Sequence, residues 1–311
     1  MARCLASIRE QDYPQDQVDI FVADGGSTDD TLKIARRYEC RIVDASGLLA
    51  EAAKEKALEL AETDFLAMID ADNTIVGRQW LTRAIEAFAD QPTALGFESY
   101  YSLDPADPAL NRYLTGLLQI SDPWARAVAT RLKLQETTAD GVEVYELPRN
   151  GSYPTGANGF LFRRQELQRL DGPFHEATFF PELMRREPRT LLKHADCQVH
   201  HDYVRGWRDY YRKKQRVAMH YLLRSEEVTG QWDRGLSDTR RWLAMIYCAS
   251  VVGPALESAR NVARDRRWEW WLHAPASFVG VAATVVGVAR SRWAGSKSER
   301  RQASRRLKPK I

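Results

Sequence analysis

The sequence has little cysteine, and none of it is closely paired. Four cysteines occur in 311 residues, namely Cys4, Cys40, Cys197 and Cys248. Small disulfide-stabilised folds need a higher density of cysteine, and structural zinc sites use closely spaced pairs. We therefore expect neither a disulfide framework nor a structural zinc site. A reducing compartment suits such a chain better than an oxidising one.

A net positive charge is confined to the C-terminal end of the sequence. The formal net charge is +3, but residues 290–311 contain nine Lys or Arg and one acid, so this tail carries +8 and residues 1–289 carry −5. A general nucleic-acid binder would be basic over a larger surface, so nucleic acid is not an expected partner. The first residues include Arg3, Arg9 and Glu10 and lack the apolar stretch of an export signal.

Two long runs without a charged residue lie towards the C-terminal end. Residues 242–256 form a run of 15, and residues 270–289 form a run of 20. A helix of about 20 apolar residues just spans a bilayer, and tryptophans gather at membrane interfaces. Four tryptophans lie at or near the ends of the second run: Trp268, Trp270, Trp271 and Trp293. The pattern favours membrane contact, and a pair of buried helices in a soluble domain is the alternative.

The N-terminal part of the sequence alternates between predicted helices and strands. Helices are predicted over residues 3–12, 27–38, 48–61 and 79–89, and strands over residues 18–23, 41–44 and 65–69. The second of these helices opens with a capping-box pattern at Ser27 and Asp30. Such alternation predicts an α/β fold with a mostly parallel sheet.

Acidic residues follow two of the predicted strands. Asp24 ends the first strand and opens a Gly-Gly-Ser turn, and Asp70 and Asp72 follow the strand over residues 65–69. Ligands bind at the carboxyl ends of strands in open α/β sheets. Two carboxylates that are two residues apart can hold a divalent cation through oxygen ligands. Either acid alone would more simply be a solvated turn residue, but the combination predicts a site.

Four segments together resemble the family 2 glycosyltransferases. They are LASIREQDYP at 5–14, VDIFVADGGSTDDT at 18–31, MIDADN at 68–73 and TGANGFLFRR at 155–164. MIDADN looks like the DxD motif of that family, and the last segment looks like its acceptor side. The resemblance covers roughly residues 3–220 and implies a GT-A fold, a nucleotide-sugar donor and a Mg²⁺ or Mn²⁺ ion.

The resemblance implies a role for five residues of the donor site. Asp24 would bind the nucleoside, and Lys54 would contact the donor. Asp70 would hold the ribose or the ion, and Asp72 would ligate the metal that bridges the diphosphate. His201 would ligate the ion or contact phosphate, and the alternative for it is a strand-end histidine bonded to backbone.

The catalytic base is less well marked, because the Glu-Asp pair expected from the family is missing. Glu182 has the nearest spacing and is the base that we predict, with Glu176 as the second candidate. A base at this position would deprotonate the acceptor hydroxyl in an inverting transfer. The alternative for Glu182 is an ordinary helix-start acid.

The resemblance also divides the chain. It predicts a catalytic domain over residues 1–235 that lacks the apolar first strand of family members, a helical membrane-associating region over residues 236–290 and a basic tail over residues 291–311. The predicted function is transfer of a sugar to a lipid-linked or polysaccharide acceptor at the cytoplasmic side of the cell membrane. One alternative is an inactive, nucleotide-binding relative of the transferases, and another is a soluble nucleotidyltransferase of related fold.

Overall fold

The structure is a computed structural model that describes residues 1–48, 50–149, 152–154, 158–169, 174, 176–224 and 236–293. The chain forms two compact units, each made of two segments. The first, here the sheet unit, comprises Met1–Ser102 and Thr130–His201. The second, here the helical unit, comprises Leu103–Ala129 and the chain from Asp202 onwards. The predicted division at residues 235 and 290 stays a prediction.

The helices are numbered along the chain. They are α1 (Ala2–Arg9), α2 (Thr31–Arg37), α3 (Ala50–Glu59), α4 (Trp80–Glu86), α5 (Ala109–Asn111), α6 (Pro123–Val128), α7 (Glu176–Arg186), α8 (Trp207–Arg224), α9 (Asp238–Ser250), α10 (Val252–Asp265) and α11 (His273–Trp293). The sheet unit contains α1 to α4 and α7, and the helical unit contains the others.

The described strands all belong to the sheet unit. They are β1 (Phe21–Asp24), β2 (Arg41–Asp44), β3 (Phe65–Ile69), β4 (Asn73–Val76), β5 (Ala94–Glu98), β6 (Tyr100–Tyr101), β7 (Lys133–Thr137), β8 (Val142–Glu146), β9 (Asn158–Arg163), β10 (Thr190–His194) and β11 (Gln198–His201). They form a two-stranded sheet β1-β2, a six-stranded sheet in the order β3-β9-β5-β10-β8-β7, and a three-stranded sheet β4-β11-β6.

The α/β class is confirmed, but the expectation of a mostly parallel sheet needs correction. Among the described strands, the pairs β1-β2, β5-β10 and β6-β11 are parallel and the other pairs are antiparallel. The cause is β9, which lies between β3 and β5 and runs against both. The β7-β8 hairpin adds a further antiparallel edge. Neither feature is encoded in the local alternation of the first ninety or so residues.

The central strands of the six-stranded sheet are buried on both faces, because their successive apolar side chains point to opposite faces. On one face Phe160 and Phe162 pack against Phe180 of α7, with ring centroids 4.7 and 5.1 Å apart. On the other face Trp80 of α4 meets Phe97 edge-on at 6.5 Å. Burial of such large rings supplies most of the stabilisation of the sheet unit and leaves the carboxyl ends of its strands to carry polar groups.

In the helical unit, apolar packing surrounds a buried polar cluster. Tyr113 and the fully buried His273 share a hydrogen bond of 2.5 Å, and Tyr247 lies 3.2 Å from the other ring nitrogen. The segment Trp268–Ser291 is 24 residues long and apolar enough to cross a membrane, with 39% of its most apolar part buried. Helices α9 and α10 are long and apolar enough to cross a membrane only when they are taken together, and they are bent by 74° relative to each other.

Gly159 of β9, next to Asn158, allows the side chains of Ser99 and Val199 to lie close to the strand. Its φ is +75°, and a Cβ there would lie 2.5 Å from Ser99 Oγ and 2.8 Å from Val199 Cγ1. We predict that Gly159→Ala lowers the free energy of unfolding by at least about 2 kcal/mol, from backbone strain and overpacking together. Gly206→Ala is the matched control, because a Cβ there meets nothing within 4 Å. Urea titration measures both variants, and equal losses would contradict the prediction.

Candidate functional site

Asp24 stabilises the turn that follows β1. Its carboxylate is buried and accepts hydrogen bonds from the backbone N–H groups of Gly26 and Ser27, each at 3.1 Å. Gly26 has a φ of +96°, so the turn needs the conformational freedom of glycine. Because Asp24 takes the Ser27 N–H, helix α2 begins at Thr31, later than the predicted capping box. Asp24 thus shapes the strand end, and its contact with a nucleoside stays a prediction.

The other acidic residues of the predicted donor site, Asp70 and Asp72, lie in the turn between β3 and β4. Asn73 N–H donates to the Asp70 carbonyl at 2.9 Å and closes this turn. The Asn73 side chain is buried and its amide donates to Asn158 Oδ1 at 2.8 Å. The side chains of Asp70 and Asp72 remain 46% and 42% exposed. The turn is therefore rigid in its backbone, and it presents both carboxylates to solvent where a ligand can reach them.

Lys54 lies at the same strand end, and its contact with the donor stays a prediction. It belongs to α3, and its Nζ is 3.2 Å from Asp70 Oδ1. Its side chain is three-quarters buried, which limits screening of the ion pair by water.

His201 is brought to Asp72 by strand pairing. It is the last residue of β11, in register with Asn73 of β4, and its Nε2 lies 3.7 Å from Asp72 Oδ1. The ring is almost fully buried and stacks on Tyr101, with centroids 5.5 Å apart. Tyr101 in turn accepts a hydrogen bond of 2.8 Å from the Asn158 amide. The structure thus joins Asp72 and His201, which are 129 positions apart in the sequence.

The donor atoms at this turn suit a divalent cation. A carboxylate oxygen and an imidazole nitrogen stand close enough to share one ion, and the exposed side of Asp72 leaves room for water and phosphate ligands. Mn²⁺ accepts both ligand types, whereas Mg²⁺ prefers oxygen. The residue types therefore fit the predicted metal, and the assignment of Asp72 and His201 as its ligands stays a prediction.

Sequence reasoning missed three residues that hold the site in shape. Asn73 and Asn158 lie within quoted motifs, but no role was assigned to them, and nothing in the local pattern around Tyr101 marks it. Cys4 was also missed: its Sγ lies 3.8 Å from the Asp70 carbonyl, and burial raises the pKa of this thiol to about 11. Cys4 is therefore a neutral thiol beneath the turn, and it cannot serve as a nucleophile at neutral pH.

Glu182 lies in the middle of α7, where Arg185 donates to it at 3.2 Å and Arg186 lies 3.7 Å away. Its described contacts are with these arginines of its own helix, and within the described residues none joins it to the Asp70–Asp72 turn. The side chain of Glu176, residues 155–157 of the predicted acceptor segment and the basic tail from residue 294 lie outside the described part. The assignment of the base stays a prediction.

Comparison with known proteins gives a family for the N-terminal part. Residues 1–115 match the family model described as "Glycosyl transferase family 2". "Glycosyltransferase AglE" of Haloferax volcanii is 28% identical over 93 residues, which are 28% of this chain and 30% of that protein. The chain thus aligns with about a third of the length of this curated relative.

Solved structures of S. aureus TarS align with most of this chain, with low sequence identity and low TM-scores. TarS 1-349 in complex with UDP is 15% identical, with a TM-score of 0.46, over 94% of this chain and 87% of that one. TarS 1-349 in complex with UDP-GlcNAc is 14% identical, with a TM-score of 0.44, over 98% and 85%.

The family match includes four of the donor-site residues that the sequence predicts: Asp24, Lys54, Asp70 and Asp72. The structure brings Lys54 and Asp70 together and adds His201 to Asp72. Residues 1–115, which include the four predicted residues, are thus the part of the chain that matches the model of glycosyl transferase family 2.

Proposed function

We propose that the chain transfers a sugar from a nucleotide-sugar donor to a lipid-linked or polysaccharide acceptor, with inversion, at the cytoplasmic face of the cell membrane. One observation carries the donor half of this proposal. The turn with Asp70 and Asp72 lies within the family match, and Lys54 and His201 flank it. A carboxylate pair flanked by an ammonium group and an imidazole is suited to a metal-bound diphosphate.

Each residue of this site has a distinct part in donor binding. Asp24 holds the turn at the end of β1 against which the nucleoside would lie, and Lys54 supplies positive charge beside the donor. Asp72 and His201 would hold Mg²⁺ or Mn²⁺. When bound, the ion offsets the negative charge that develops on the leaving nucleoside diphosphate.

The acceptor half needs a group that takes the hydroxyl proton. We assign this to Glu182, whose side chain is 41% exposed and therefore accessible to an acceptor. Arg185 and Arg186 of the same helix form ion pairs with this carboxylate at 3.2 and 3.7 Å. Attack by the deprotonated hydroxyl on the side opposite the leaving diphosphate would invert the anomeric centre.

Exposed apolar side chains on the bent pair α9–α10 support the membrane part of the proposal. Five large apolar residues there are about 60 to 70% exposed: Trp242, Leu243, Ile246, Val252 and Leu256. Monomeric soluble proteins rarely expose such contiguous apolar surface. Arg260 and Arg264 of α10 are exposed one turn and two turns beyond Leu256. Apolar residues beside arginines suit a helix that lies in the interface of an anionic membrane.

The metal role is tested by donor binding. Isothermal titration with nucleoside diphosphates, with and without Mn²⁺, should show metal-enhanced affinity for one of them. Asp72→Ala should remove the enhancement, a loss of at least about tenfold in affinity, or about 1.4 kcal/mol. Asp24→Ala should weaken binding in the absence of metal as well. Asp90→Ala, an exposed acid beyond α4, is the control. Unchanged metal-dependent binding in Asp72→Ala would refute the metal role.

The assignment of the base is tested by turnover. A well-placed general base contributes about 10²–10⁴ in rate, so Glu182→Gln should lower turnover by that factor while donor affinity persists. Thermal midpoints check that loss of the two arginine contacts does not unfold the variant. Glu176→Gln is the comparison. If Glu176→Gln abolishes turnover and Glu182→Gln is mild, Glu176 is the base and our assignment is wrong.

Membrane binding is tested by flotation of the full chain with vesicles that contain anionic phospholipid. We expect binding at low salt and a loss of at least about tenfold in affinity for Leu243→Asp or Ile246→Asp. Leu134→Asp is the matched control, since Leu134 is an exposed apolar residue of β7 in the sheet unit. Release of the wild-type chain by high salt alone would make basic residues the main anchor. Absence of binding at low salt would exclude the membrane surface.

A further inference from the structure

A second polar cluster lies on the six-stranded sheet, and the donor site does not use it. Three charged residues lie side by side near the ends of β5, β10 and β8, namely Glu98, Lys193 and Glu143. Lys193 is in register with Glu143, and its Nζ is 2.8 Å from Glu98 Oε2. Three half-buried tyrosines surround this row, and they are Tyr100, Tyr145 and Tyr153.

This cluster lies at the same level of the sheet as the donor turn. Met68 of β3 and Glu98 of β5 are both in register with Phe160 of β9, and Met68 is two residues before Asp70. The row of polar residues therefore begins two strand spacings, roughly 10 Å, from the donor strand. It lies on the face where Phe160 packs against Phe180 of α7, the helix that carries Glu182.

Each glutamate makes all its described hydrogen bonds and ion pairs through one carboxylate oxygen, Oε2. Glu98 Oε2 takes the Lys193 ammonium and a hydrogen bond of 2.7 Å from Tyr153. Glu143 Oε2 accepts from Tyr100 and, at 3.2 Å, from Tyr145. Among the described residues, the Oε1 atoms of both carboxylates have no partner, and neither is a buried unpaired atom. Two fixed carboxylates thus each offer a free acceptor oxygen.

The charge and the aromatic rings indicate which ligand class fits. Two carboxylates and one ammonium group give a net charge of −1, which disfavours phosphate and carboxylate groups. Burial and the glutamates raise the pKa of Tyr100 and Tyr153 well above the usual range, so both remain neutral hydroxyl groups. Lys193 is held 4.5 Å above the Tyr100 ring, which keeps it within the cluster. Hydroxyl groups of a neutral sugar ring match the free oxygens, and aromatic rings match its apolar faces.

We propose that Glu98, Glu143, Tyr100, Tyr145 and Tyr153 form a subsite for a neutral sugar residue of the acceptor. This inference rests on the proposed function, since it places the acceptor beside the donor. The two free carboxylate oxygens accept hydrogen bonds from sugar hydroxyls. Such charge-assisted bonds are strong, and the tyrosine contacts fix the carboxylates before the sugar arrives.

The test measures sugar binding without donor and hydrolysis of donor without acceptor. Saturation-transfer NMR with cellobiose, maltose and chitobiose, and with inorganic phosphate as the anionic comparison, reports on the subsite in the full chain. At least one disaccharide should bind the wild-type chain, and Glu143→Gln should weaken it at least about tenfold. Glu146→Gln is the matched control, because it alters an exposed glutamate of the same strand. Tyr145→Phe, which keeps the ring, should have a smaller effect.

The outcomes separate this inference from the proposed function. If the wild-type chain hydrolyses a nucleotide-sugar with metal but no disaccharide binds, or if Glu143→Gln and Glu146→Gln bind equally, the subsite is refuted while the transferase proposal stands. Binding of phosphate alone would also refute a neutral-sugar subsite. If a disaccharide binds as expected and no donor is hydrolysed or bound, the transferase proposal fails and the sugar site remains. Thermal midpoints of Glu143→Gln exclude loss of folding as the cause of weaker binding.

Discussion

The buried side chain of Asn73 is the constraint on which the candidate donor site depends. Its backbone N–H closes the turn after β3, and its amide joins that turn to Asn158 of β9. Asn158 then bonds to Tyr101, on which the ring of His201 stacks. A buried amide needs partners for its donors, and these contacts supply one for Asn73 and one for Asn158. These buried contacts hold the turn that carries the exposed carboxylates of Asp70 and Asp72.

The elements that sequence analysis predicted best are those whose signal is local. The strands over residues 41–44 and 65–69 have the predicted bounds, and the second of them is a continuous apolar run that ends before Asp70. The helix expected from residue 27 starts at Thr31 instead. There a side chain from the preceding strand, Asp24, competes with the predicted cap for the same N–H group.

The features that could not be predicted depend on pairing between distant segments. The position of β9 between two strands that it opposes is a property of the sheet and not of its own sequence. The same is true of the position of His201. The family resemblance pointed to this residue, but the distance of 3.7 Å between its Nε2 and Asp72 Oδ1 follows from the register of β11 on β4. Tyr101 and the glutamate–tyrosine cluster carry no local pattern, so only the fold could show them.

Two short strands give the sheet unit open margins. Within the described strands, β1 is paired only with β2, and β3 is paired only with β9. Each therefore has a side that is paired by no other described strand, and a strand from another molecule would pair there. Since β1 has four residues and β3 has five, such pairing forms few bonds. Self-association at these margins would accordingly be weak and reversible, and, because backbone groups carry it, insensitive to ionic strength.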